Sequence, residues 1–145
     1  MRVLLADSVA ELERVVPVLL ELRPAYDTAS LLRQIEAQRE FGYRIAYVEA
    51  NGKVVCVAGF VVAMKLAWGR HVYVDDLVTA AHHRSSGAGA LLIDWLKAWA
   101  LEQGCAQLHL DSGVQRFGAH RFYLREGFDI TSHHFAMELS PASGP

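Results

Sequence analysis

The sequence predicts an α/β fold: a central mixed, mostly antiparallel sheet containing one parallel pair, flanked by about four helices. Three observations carry this. Two capped, amphipathic segments come first, and a β-branched stretch folded at Asn51-Gly52 follows. A long helix with an apolar stripe then separates two strand patterns, and the reach and handedness of crossover connections make those strands parallel. With 145 residues, 52% hydrophobic and 21% charged, the chain is expected to form a single domain over 1–139 with a flexible tail at 140–145.

Residues 2–6 read as a short strand. Ser8 and Glu11 stand at capping-box spacing ahead of Leu12, Val15, Val16, Leu19 and Leu20, which predicts a helix, kinked at Pro17 and broken at Pro24. Thr28 is the expected cap of a second helix, with Leu31, Leu32 and Ile35 on one face and an end near Gly42. Ile45 to Val48, the Asn51-Gly52 turn and the apolar run Val54 to Met64 predict a hairpin whose second arm is central and covered on both faces. A turn at Trp68-Gly69 leads to a strand over 71–79 that completes an antiparallel meander.

Ala88, Leu91, Leu92, Trp95, Leu96 and Trp99 recur at helical spacing up to a stop at Gly104, which places both tryptophans in the core. Gln107 to Asp111 is the next strand. A shorter helix spans about 117–126 and stops at Gly127, and 128–130 with 134–139 are expected as closing strands.

A formal charge of -2 lacks the basic excess of a protein held by phosphate backbones, so no nucleic-acid partner is expected. No apolar run reaches spanning length and Asp7 interrupts any secretory signal, so no membrane association is expected either. Cys56 and Cys105 sit among apolar neighbours, as reduced core thiols do, which points to the cytoplasm. The pairs His82-His83 and His133-His134 lack the spacing and companions of a ligand set, so no metal is expected. The composition is compatible with a homodimer and does not specify one.

The chemistry concentrates between the third strand of the meander and the long helix. In Arg84-Ser85-Ser86-Gly87-Ala88-Gly89-Ala90 the glycines allow close backbone approach, the alanines add little bulk, and the helix N-terminus offers unpaired N–H groups and positive potential to a phosphate. Gly-x-Gly alone serves equally as a tight helix–sheet turn. The third glycine of a dinucleotide fingerprint is missing, since Leu92 stands there, and no Walker lysine follows.

Arg84-Ser-Ser-Gly-Ala-Gly89 resembles the Arg/Gln-x-x-Gly-x-Gly/Ala acetyl-coenzyme A loop of the GCN5-related N-acetyltransferase (GNAT) superfamily. Ala119-His-Arg-Phe-Tyr-Leu-Arg-Glu-Gly-Phe128 is similar to that family's Ala-x-x-Phe-Tyr-x-x-x-Gly-Phe segment. The resemblance implies direct acetyl transfer from acetyl-CoA to a primary amine in a ternary complex, with pantetheine in a gap between two splayed parallel strands. Leu77, Val78 and Thr79 would pair with pantetheine, and an amide near Val78 would polarise the thioester carbonyl. Residues 84–90 would hold the pyrophosphate.

Tyr123 stands at the family's general-acid position, and Phe122 and Phe128 are expected to pack. Many members carry Asn where this chain has Arg116, so Arg116 is a candidate for a phosphate or an acidic substrate group. Tyr73-Val-Asp-Asp-Leu resembles the Leu/Val-Glu-Asp pattern of the diamine acetyltransferases, which makes Asp75 the candidate base. Strand alternation should send Asp75 and Asp76 to opposite faces, so that they do not form a dyad. Together with Glu49 they would favour a small cationic amine if they line one cleft. Ser112, at the end of a strand, is a packing or cofactor contact without a neighbouring base. The competing reading is a sensor or partner module that binds acyl-CoA without turnover.

Overall fold

The computed structural model describes residues 1–140; the remainder of the expected tail, 141–145, lies outside the described residues. The chain forms two compact units, Met1–Leu110 and Asp111–Pro145.

The first unit holds a five-stranded sheet of β1 (Arg2–Leu5), β2 (Arg44–Ala50), β3 (Lys53–Lys65), β4 (Gly69–Thr79) and β5 (Gln107–Leu110), side by side in that order. All neighbours are antiparallel except β4 and β5. The parallel pair is joined through α3 (Ala88–Glu102), as the crossover pattern requires. Asn51 and Gly52 both have positive φ, the geometry of a two-residue hairpin turn that matches strand twist.

The helix α1 (Val9–Leu22) begins with the expected box: Ser8 Oγ accepts from the Glu11 amide, while Glu11 Oε1 accepts from the Ser8 amide. It runs on through Pro17. At α2 (Thr28–Arg39) the cap is Asp27 rather than Thr28. The Asp27 carboxylate accepts from the Ser30 amide at 2.8 Å and Ser30 Oγ accepts from the Asp27 amide, so the stronger, charged acceptor takes the N-cap position.

Leu12, Val15, Val16, Leu19, Leu31 and Ile35 from α1 and α2 close over one face of the sheet against Tyr43, Ile45, Tyr47 and Val57. The alternate residues Ala46, Val48, Cys56, Ala58 and Phe60 are also fully buried, on the opposite face, where Phe60 meets the rings of Trp95 and Trp99 on α3. β3 is therefore covered on both sides over Val55–Phe60, as its unbroken apolar run predicts. The two tryptophans are half-buried rather than fully internal, with Arg44 over the Trp99 ring at 5.7 Å. Both cysteines are buried free thiols, and burial pushes the Cys56 thiol up to about 11.

The second unit contains α4 (Phe117–Arg125), ended by Gly127 at φ +99°. The expected closing strands at 128–130 and 134–139 are not formed: neither segment joins a ladder, and Ile130, Phe135, Met137 and Leu139 are exposed. Alternation makes a segment ready for a sheet but supplies no partner edge. Instead His134 Nδ1 lies 2.8 Å from Asp111 Oδ2. Among the described residues no helix is long and apolar enough to cross a membrane.

Candidate active site

Within the first unit, the end of β4 and the start of α3 carry the candidate residues 75–79 and 84–90. Pairing with β5 covers only His71 to Val74, so Asp75 to Thr79 continue past the last parallel pair. Along that stretch Leu77 and Thr79 are half-buried and Val78 is buried. Thr79 Oγ1 lies 3.3 Å from the Cys56 sulfur, and the Ala80 amide closes the strand on the Val55 carbonyl.

A short 3-10 turn, Ala81–His83, then leads into the loop. Arg84, Ser85, Ser86 and Gly87 are exposed, and Ser85 holds φ +63°. Gly87 is the N-cap of α3 at φ +88°, a conformation that disfavours residues with a Cβ. No side chain caps this helix strongly: Ser86 Oγ is 3.4 Å from the Ala88 amide, and the first intrahelical bond runs from Leu91 to the Gly87 carbonyl. The amides of Gly89 and Ala90 thus precede the first turn's hydrogen bonds, at the positive end of a 15-residue helix. Ala88, directly after the loop, is buried.

Asp75 and Asp76 depart from simple alternation. Gly59 of β3 pairs with Asp76 and Phe60 pairs with Val74, so Asp75 is an extra residue, a β-bulge. One inserted residue reverses the phase of the strand. Val74 shares the α3 face with Phe60, whereas Asp76 and Val78 turn to the face covered by α1 and α2. Burial, then the charge of Asp76, pushes the Asp75 carboxyl above its ordinary range, while Arg23 pulls it down.

Asp76 is committed to partners that the sequence reading did not include. Tyr43 donates its hydroxyl to Asp76 Oδ2 at 2.7 Å, and Arg23 donates to Asp76 Oδ1 at 2.9 Å and to the Asp75 carbonyl at 3.2 Å. Burial and the adjacent carboxylate hold the Tyr43 phenol far above its ordinary value, so it remains a proton donor in this bond. Gly59 makes the arrangement sterically feasible: a Cβ there would overlap the Tyr43 hydroxyl and Cζ and lie 2.8 Å from Cε1. A glycine inside an apolar strand was the available signal for such a close approach.

Glu49 does not join the acidic pair. It accepts from Arg2 and Arg14 at 2.9 and 2.8 Å, and on β2 it lies four residues beyond Ile45, the partner of Gly59. Its charge is neutralised locally, about 13 Å along the strand from the Asp76 level at normal strand rise.

In the second unit, Tyr123 is 9% exposed, with the rings of Phe122 and Phe128 at 5.5 and 5.8 Å. Arg116 is exposed and precedes α4, its carbonyl accepting from the His120 amide. The Ser112 hydroxyl oxygen is buried without a hydrogen-bond partner. Among the described residues no group of three or more His, Cys, Asp or Glu side chains is placed to hold a metal ion.

A glycine-initiated helix without a side-chain cap follows a strand that outruns its parallel neighbour, so backbone groups on both are left without partners from β5 or from the helix itself. The profile of the Acetyltransferase (GNAT) family matches residues 7–128, and the chain belongs to this family. It is 36% identical over 122 residues to the "Uncharacterized N-acetyltransferase YhdJ" of Bacillus subtilis (strain 168), covering 82% of this chain and 85% of that protein. It is 30% identical over 98 residues to the aminoalkylphosphonate N-acetyltransferase of Salmonella typhimurium (strain LT2), covering 67% of this chain and 62% of that one. The fold is similar, with a TM-score of 0.81 at 16% identity, to AAC(6')-Iy solved in complex with the bisubstrate analogue CoA-S-monomethyl-acetylneamine, covering 96% and 97% of the two chains.

Proposed function

We propose that this protein, acting as one acetyltransferase domain over 1–139, transfers the acetyl group of acetyl-CoA to a primary amine of a small cationic molecule. Attack is direct, within a ternary complex. The observation that carries the reading is the continuity of the free β4 end, Leu77 to Thr79, with the uncapped α3 N-terminus at Gly87. A strand edge with no β5 partner suits the amide-bearing pantetheine arm, and the helix start with exposed Arg84 suits a pyrophosphate. Ser85, Ser86, Gly87, Ala88, Gly89 and Ala90 line that cradle, and Arg116 is assigned to a phosphate or to an acidic group of the acceptor. The family membership and the N-acetyltransferase names of the two relatives support the same chemistry.

The attacking nitrogen must be neutral, since an ammonium has no lone pair. Asp75, with its raised proton affinity and an exposed position, accepts the proton of the amine directly or through water. The nitrogen then bonds to the thioester carbon, an amide near Val78 stabilises the developing oxyanion, and the C–S bond breaks. As the amide forms, the second proton of the nitrogen leaves to water, and Tyr123 gives its proton to the departing thiolate and is reprotonated from solvent. Asp76, held by Tyr43 and Arg23, contributes charge rather than proton transfer.

The test is a thiol-release assay over a panel of amines, with mass spectrometry of the acceptors. Release of coenzyme A in proportion to an acetylated amine is expected. Tight acetyl-CoA binding with no release against any amine would assign the chain to a sensing role instead.

A further inference from the structure

Three chain segments distant in sequence converge on the acidic bulge. Arg23 ends α1, Tyr43 precedes β2, and Gly59 lies within β3. Asp76 is the point they share. One of its oxygens takes Arg23 and the other takes Tyr43, and its side chain is only 14% exposed. Asp75 is treated differently: its carbonyl accepts from Arg23, while the residue itself is exposed and, as the bulge residue, has no opposite partner on β3. A bulged peptide lacks the ladder bonds that fix its neighbours, so without an outside donor its plane and the side chain attached to it are free to turn. Arg23 is that donor, and Tyr43 fixes the neighbouring residue from the other side.

We infer that Arg23 and Tyr43 are positioning residues for the amine acceptor: by holding Asp76 and the Asp75 carbonyl, they fix the bulge so that the Asp75 carboxylate, open to solvent on one side, is presented to the amine. The inference rests on the reading that Asp75 receives the amine proton. It divides the adjacent carboxylates into an anchor, Asp76, and a working group, Asp75. The charged and titratable groups bearing on this pair are each other, Arg23 from α1 and Tyr43 ahead of β2; the facing β3 residues, Gly59 and Phe60, carry no charge. Arg23 also moderates the proton affinity of Asp75, so its loss should raise the pH at which Asp75 ionises.

The experiment compares Tyr43→Phe, Arg23→Gln and Arg23→Lys with the parent at pH 7, using an amine that the parent acetylates. Calorimetry with acetyl-CoA and carboxyl-carbon NMR of Asp75 accompany the kinetics. A misplaced acid should lower kcat/KM for the amine on the order of tenfold in Tyr43→Phe and in Arg23→Gln, with acetyl-CoA affinity within about twofold of the parent. The Asp75 titration should move up in Arg23→Gln, and Arg23→Lys should restore both the titration and part of kcat/KM. Tyr43→Phe keeps the ring in place and carries the test if Arg23→Gln does not fold. Folded variants with parental kcat/KM, or with acetyl-CoA affinity lost in parallel, overturn the positioning role while acetyl transfer stands. A parent that acetylates no amine overturns the transfer reading and this inference with it.

Discussion

Replacing Gly59 with alanine adds one methyl group at the point where Tyr43 crosses the sheet. That methyl would overlap the Tyr43 hydroxyl and Cζ and lie 2.8 Å from Cε1. The ring cannot yield easily, because Tyr43 is 5% exposed and packed among the α1 and α2 core residues. Overpacking of this kind costs about 1–3 kcal/mol. Expelling the hydroxyl from Asp76 loses a hydrogen bond to a charged acceptor, a further ~1.5–3 kcal/mol. Alanine recovers about 0.5–1 kcal/mol over glycine in a strand. The net expectation is a loss of roughly 2–5 kcal/mol, a large fraction of a typical domain's stability. Urea unfolding followed by tryptophan fluorescence measures it. The same substitution in a Tyr43→Leu background meets no hydroxyl and should cost less than about 1 kcal/mol beyond Tyr43→Leu, which gives a strong coupling in the double-mutant cycle. A loss below about 1 kcal/mol in the parent, or an equal loss in both backgrounds, would refute the steric argument.

Gly89→Val should leave α3 folded, because Gly89 has ordinary helical backbone while the left-handed position belongs to Gly87; its acetyl-CoA affinity, read by calorimetry, should be abolished. Tyr123→Phe should lower kcat on the order of a hundredfold with acetyl-CoA affinity retained, as measured by steady-state kinetics beside calorimetry. Asp75→Asn should lose kcat/KM more severely near pH 7 than near pH 9, where more free amine is present, with stability retained or slightly raised because a carboxylate disfavoured by burial and by Asp76 is removed. Asp76→Asn should instead lower the unfolding free energy by about 1–3 kcal/mol, since it weakens bonds to Arg23 and Tyr43. Acidification should destabilise the fold: Tyr47 and Ser8 hold Glu11 below its ordinary range, Arg14 and Arg2 do so for Glu49, and the Ser30 amide and hydroxyl do so for Asp27. The unfolded chain then binds more protons than the folded one as pH falls through the carboxylate range, so that stability is lost below it. Asp75 has the opposite sign, its contribution fading as pH rises through its elevated value, and it is outnumbered. Urea midpoints at pH 6 and pH 3.5 should show the decline, and Glu11→Gln should flatten it.

What could be read directly from the chain was whatever lies within a turn or two of its own signal. Ser8 and Glu11 are one helical turn apart, Asn51-Gly52 is a complete hairpin turn, and the stripe from Ala88 to Trp99 repeats along a single helix. Gly87 and Gly89 announce the helix start for the same reason, since their geometry involves only adjacent backbone. Even there the choice between Asp27 and Thr28 as cap turned on which oxygen reaches the Ser30 amide, a matter of one residue.

The acidic pair shows where local reading stops. Strict alternation along β4 puts Asp75 and Asp76 on opposite faces, but the face each residue takes depends on how β4 registers against β3, and the slip between Gly59 and Phe60 changes that phase. Tyr43 and Arg23 lie 33 and 53 residues from Asp76 and meet it only because the end of α1 and the residue ahead of β2 are brought to one face of the sheet. Alternation at 134–139 likewise announced a strand without naming an edge for it. By itself the sequence determined the four helices, the five strands of the sheet and the parallel crossover, because each is written in neighbouring residues. The tertiary structure alone decided which carboxylate is anchored and which is left free, because strand register and long-range hydrogen bonds are properties of partners that no period in the chain encodes.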